Sequence, residues 1–167
     1  SDVELASRLS FFLWSDMPDD ELLDIAIDGK LSGRGVLDAQ VRRMLKDPKA
    51  YSLVKNFAMR WLNVDDLNAV DPDPRLFPGF TEQMRRDFTS EIELFLESVF
   101  SADQSVLRLV DGDYTFLNER LARHYGIPGV YGPQFRRVKL ENPNRHGLLG
   151  KSAVLLRTSY GDRTSPV

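Results

Sequence analysis

Cysteine is absent from all 167 residues. That excludes a disulfide framework, a thiolate metal site, a cysteine nucleophile and covalent attachment of a c-type haem within this chain. Histidine is scarce, with only His124 and His146, so zinc or histidine-dependent catalysis has few groups to draw on and no metal site is expected. Long apolar runs are missing as well. The longest candidate, LSFFLW at 9–14, falls far short of the roughly 20 residues that cross a bilayer, and no membrane span is expected. Ser1-Asp2-Val3-Glu4 is acidic, unlike the basic start of a signal peptide. An initiator Met is also lacking, and the polar TSYGDRTSPV follows the apolar AVLL of 153–156. Both are expected of a segment belonging to a longer polypeptide.

What is present is the composition of a globular domain, 42% apolar and 28% charged, in a chain long enough to bury a core. Its net charge of −3 is unevenly spread. Residues 134–167 hold seven basic and two acidic side chains, a net +5, against −8 for residues 1–133. The basic stretch is therefore expected to face an acidic surface, either the body of its own chain or an external anion.

Apolar spacing predicts a mainly α fold, an irregular bundle of about five to seven helices. Ser1-x-x-Glu4 is a capping box ahead of a helix over 2–14. A second helix follows Pro18 and stops at Gly29; a third carries Leu37, Val41, Met44 and Leu45 and stops at Asp47-Pro48. The fourth, KAYSLVKNFAMRWLN, is expected to bury Leu53, Val54, Phe57, Ala58, Trp61 and Leu62. A long Pro-rich loop fills 64–80. Met84, Phe88, Ile92, Phe95, Leu96 and Val99 then mark the strongest helix, with Thr81 as its N-cap. DYTFLNERLARHYGIPG reads as an aromatic turn and a helix ending at Gly126. Beyond residue 130 the pattern is less regular: QFRRVKLE predicts a short strand, and 148–156 reads as a helix or a buried extended segment. The stripes are expected to lock together and leave no reactive cleft.

ELASRLSFFLWSDMPDDELLDIA, LDAQVRRMLKDPKA and FAMRWLNVDDL, with YTFLNERLARHYGIPG further on, resemble the planctomycete-type domain of unknown function 1592. RHGLLGKSAVLLRTSYGDRTSPV resembles the start of the domain of unknown function 1588, which follows it in those proteins. The resemblance implies a helical domain over 1–133, with 134–167 as the start of a following domain packed on the first and continuing past Val167. It implies a large secreted or periplasmic multidomain protein associated with c-type cytochrome domains, with neighbouring domains of the same polypeptide as partners. No cofactor is expected in this chain, since CxxCH is absent; haem would belong to the parent protein. The resemblance assigns no catalytic residue.

Among individual residues, His124 in ERLARHYGI is either a cofactor-binding group, an axial haem ligand or proton carrier, or a cation at a helix C-terminus. Arg145, His146, Arg157 and Arg163 form either an anion- or partner-binding patch or ordinary ion pairs with the acidic body. Glu91, Glu93 and Glu97 raise the idea of paired carboxylates, but Glu93 and Glu97, on one helix face, read as solvated charges or partners of Arg85 and Arg86. Ser165 has no neighbouring base in a recognisable nucleophile motif. Trp14, Trp61 and Phe88 read as core. The function expected is a non-catalytic helical scaffold or docking module; the alternative is part of a haem-dependent oxidoreductase whose site other segments complete. Nucleic acid is not an expected partner.

Overall fold

Helix α1 (Asp2–Trp14) begins at the predicted capping box: Ser1 Oγ accepts from the Glu4 amide, and the Glu4 carboxylate accepts from the Ser1 amine. The computed structural model describes residues 1–159, and its fold is mainly α, as the apolar stripes predict. Asp19 caps α2 (Asp20–Ile27) and pairs at 2.6 Å with Arg43 of α3 (Val36–Lys46), clamping the two helices. Ala6, Leu13, Trp14, Leu22, Leu31, Met44 and Leu53 close a first apolar cluster. The Trp14 indole N–H is satisfied inside it by the Met44 carbonyl at 3.0 Å.

The predicted fourth helix is interrupted. It runs as α4 (Tyr51–Leu53), five residues of π-helix (Val54–Ala58), then α5 (Met59–Trp61). A π turn takes up one extra residue, which rotates everything after it relative to an α register. Val54 and Ala58 stay inside and Met59 joins them, whereas Phe57 and Trp61 turn out, 44% and 59% exposed. The expectation that these two rings belong to the core is thus corrected; Trp14 and Phe88 are buried as expected.

Residues 64–80 are irregular apart from one 3-10 turn at Leu67–Ala69. The buried Arg85 guanidinium ties this loop down. It donates to the carbonyls of Leu67 and Val70 and pairs with Glu82, rather than with Glu93 or Glu97. Its own helix, α6 (Glu82–Phe100), starts at Thr81, whose hydroxyl accepts from Met84 N. All six predicted stripe residues of α6 are buried, and they form the axis of a second, larger cluster.

After α6 come α7 (Arg108–Asp111), strand β1 (Tyr114–Leu117) and α8 (Glu119–Tyr125), capped by Asn118 and ended by Gly126. The predicted aromatic turn is therefore a strand. It pairs antiparallel with β2 (Arg136–Lys139), the strand expected from QFRRVKLE, with Tyr114 opposite Lys139 and Leu117 opposite Arg136. The last element is α9 (Ser152–Arg157). It packs on α6, and the turn leading into it comes close to other backbone at both glycines of RHGLLGK: a Cβ on Gly147 (φ +61°) would overlap Val110 O of α7, and one on Gly150 would overlap the Arg145 backbone. Leu148 and Ala153 thereby join the α6 cluster.

Cations of the basic segment rest on aromatic rings more than on carboxylates. Arg137 lies 3.7 Å from the Tyr114 ring centre, Lys151 4.4 Å from Phe95 and Arg145 4.7 Å from Tyr125. Among its described residues only Lys139 reaches a carboxylate, that of Asp113 at 4.0 Å. General ion pairing with the acidic body is therefore not what seats this segment. No helix among the described residues is long and apolar enough to cross a membrane.

Candidate functional site

Three residues beyond Phe88 and four before Phe95, the inward face of α6 carries a carboxylate. Glu91 is 0% exposed. Burying it requires donors, and three elements supply them. Thr115 Oγ1 of β1 donates to Glu91 Oε1 at 2.5 Å, and the Tyr125 hydroxyl, from the last turn of α8, reaches both carboxylate oxygens at 2.8 and 2.7 Å. Ser152 N, at the start of α9, lies 3.4 Å from Oε2. Ser152 also donates to the Tyr125 oxygen, from Oγ at 2.8 Å and from N at 3.0 Å. The result is a chain of hydroxyls running from Ser152 through Tyr125 to Glu91.

Lys151, the neighbour of Ser152, is also 0% exposed; its ammonium donates to Tyr114 O at 3.0 Å. Burial pushes its pKa down to about 8, with the Glu91 charge opposing and the Arg145 charge assisting. Burial raises the Glu91 pKa against the hydrogen bonds from Thr115 and Tyr125 and the field of Lys151. The Tyr125 pKa is raised by burial and by the neighbouring carboxylate, so its hydroxyl keeps its proton.

Ser152 also lines a cleft of about 980 Å³. One wall is the Pro-rich loop with Leu76, Phe77 and Phe80, the floor is Met84 and Phe88 of α6, and the far wall is α9 with Leu155 and Leu156. The apolar stripes thus lock together while leaving an open hollow beside α6. Arg85 holds the loop backbone at Leu67 and Val70, and farther along the same loop Leu76 and Phe77 remain exposed.

His124, Arg145 and Arg157 all line this cleft. The exposed His124 ring lies 5.4 Å from Phe88 and 5.8 Å from Tyr125 and has no hydrogen-bond partner among the described residues. Partial burial against Phe88 and Tyr125, with the Arg145 charge, lowers its pKa and favours the neutral imidazole. Arg157 is held by the backbone and side-chain oxygens of Asn63 at 3.0 and 3.2 Å. Arg145 makes one long hydrogen bond, 3.4 Å to Gly150 O, and has no ion-pair partner among the described residues. His146 does not join them: its Nε2 is 3.0 Å from Leu140 O. Arg163 and Ser165 lie outside the described residues. No three His, Asp or Glu side chains among the described residues gather as a metal centre requires.

Sequence reasoning raised Glu91 only as one of three carboxylates with Glu93 and Glu97, named Tyr125 only as a neighbour of His124, and passed over Lys151 and Ser152. Signals for two of these four were present. Glu91 falls on the helical spacing between Phe88 and Phe95, and Lys151 is a lone charge inside the apolar run LLGKSAVLL.

By class, then, this is a mainly helical domain in which a buried polar chain ends at an open, apolar-walled cleft. The chain belongs to the family described as protein of unknown function (DUF1592), whose sequence model matches residues 1–127. Comparisons with curated proteins and with solved structures find no match. The loop wall and His124 fall inside the matched residues, whereas Arg145, Ser152 and α9 fall outside them.

Proposed function

We propose that this domain is a non-catalytic docking module of a large secreted or periplasmic multidomain protein with c-type cytochrome domains, and that residues 134–167 begin the domain that follows it. The observation carrying this reading is a ladder of exposed aromatic rings. Phe12 meets Phe57 edge-on at 5.4 Å, and Phe57 stacks on Trp61 at 6.2 Å with the planes 8° apart. A second exposed apolar face, Val106, Leu107, Val110 and Leu149, lies where α7 abuts the turn before α9. Contiguous apolar faces of this kind mark surfaces that another body covers, and the occupants proposed are neighbouring domains of the same polypeptide. Trp61 reports on this directly. In a Trp14→Phe background it is the one remaining tryptophan, and acrylamide quenching of its fluorescence is expected to fall severalfold in the longer polypeptide relative to residues 1–167. Equal quenching in both would overturn the proposal.

His124 favours a second reading, in which the domain supplies an axial ligand to haem bound elsewhere in the parent. The support is an exposed, neutral imidazole on a cleft wall. Under this reading His124→Ala in the parent polypeptide removes the low-spin haem absorption signature. An unchanged spectrum eliminates it.

A further inference from the structure

The cleft presents two unmatched features side by side. The first is the Arg145 guanidinium, stacked on Tyr125 with only a 3.4 Å bond to a carbonyl and no carboxylate partner among the described residues. Arginine with its donors unspent is a fork suited to a planar carboxylate. The second is apolar area. Leu76, Phe77 and Leu155 are exposed within a cleft whose volume lies in the range of small-molecule sites rather than of flat protein interfaces.

From this juxtaposition we propose that the cleft binds a monocarboxylate with a flexible apolar tail, a medium-chain fatty acid, with its headgroup on Arg145 and its tail between the Pro-rich loop and α9. Several details restrict the class. A single headgroup is favoured because Arg157 is already engaged by Asn63. A cationic head is disfavoured by Arg145 itself. Position is fixed from beneath: Ser152, 4% exposed, is tied through Tyr125 to Glu91, so the surface on which Arg145 lies is anchored to the α6 core. His124, beside the same ring, offers an imidazole N–H as a further donor.

The test titrates the full 167-residue chain by calorimetry with decanoate, decanol and decyltrimethylammonium, each below its micelle threshold. Decanoate is expected to bind saturably and decanol about tenfold more weakly or worse, the factor that one charge-assisted contact supplies. Arg145→Gln is expected to remove that preference and Arg145→Lys to restore part of it. Comparable affinity for decanoate and decanol, decanoate binding unchanged in Arg145→Gln, or no saturable binding at all would each overturn the proposal. Should the Arg145 variants lose their fold, Leu155→Glu places a negative charge on the exposed far wall without touching the stack on Tyr125. It is expected to weaken decanoate about tenfold while changing decanol less; equal affinity of this variant and the parent chain for decanoate is the overturning result.

Discussion

Glu91→Ala is expected to lower the unfolding free energy by about 3–5 kcal/mol, the cost of removing one member of a buried polar network and stranding its partners. Three groups lose their acceptor together. Thr115 Oγ1 and the Tyr125 hydroxyl each face the emptied space, and the Ser152 amide keeps only the Tyr125 oxygen. Because these donors come from β1, α8 and α9, the loss loosens three attachments to α6 rather than one. Glu91→Gln keeps the shape and one acceptor oxygen but opposes an amide N–H to hydroxyls now donating there; these can rotate, so the expected loss is smaller, about 1–2 kcal/mol. Urea unfolding followed by far-UV circular dichroism distinguishes the two. A loss under about 1 kcal/mol for Glu91→Ala would show that the network does not hold the C-terminal elements in place.

The second large effect is a dependence on pH. Lys151 has a folded pKa of about 8 against 10.5 for the ordinary side chain. Between those values the unfolded chain carries a proton that the folded chain has released, so stability rises with pH. The penalty for burying the ammonium is present in full below pH 8 and fades as pH climbs toward 10.5. Tyr51 and Tyr125 act in the opposite sense above pH 10, since their folded pKa values are raised from 10.0 by burial and they retain protons longer than the unfolded chain does. The clean window is therefore pH 8 to 10, in which the native protein gains on the order of 2 kcal/mol, at no more than about 1.4 kcal/mol per pH unit. In Lys151→Met the rise disappears, because methionine fills the same channel beside Phe95 without a titrating group. Superimposable pH profiles for the two proteins would mean that Lys151 stays charged in the fold.

How far the sequence disclosed all this depends on which interaction sets each position. The helices were legible where an apolar stripe and a cap agree, as at Ser1-x-x-Glu4 and along Met84 to Val99, because burial and local hydrogen bonding favour the same register there. Trp61 was misplaced because stripe counting assumes 3.6 residues per turn throughout, and the π stretch at Val54–Ala58 breaks that assumption with no residue in KNFAMRW announcing it. The candidate site was legible only as single residues. His124, Arg145 and Arg157 could be named, but their meeting in one cleft depends on how α9 folds back against α6. The turn into α9, close-packed on α7 at Gly147 and on the Arg145 backbone at Gly150, lies about fifty residues of chain beyond α6, along a path no local pattern fixes. The buried role of Glu91, named in the sequence only beside Glu93 and Glu97, was hidden for a different reason. A carboxylate on an apolar stripe looks like a solvated interruption until its donors are located, and those lie 24, 34 and 61 residues away.

The separation of the apolar interior into two clusters has its own consequence. The first is built from α1 to α3 and closes at Leu53; the second surrounds α6, and Phe100 packs against both. Every side chain lining the cleft comes from residue 69 onward, and the Glu91 chain lies wholly within the second cluster. Substitutions in the packed interior of the first fifty residues can thus accumulate without reaching the cleft, while Phe12 stays tied to the exposed ladder with Phe57 and Trp61. The two halves of the domain are free to diversify at different rates.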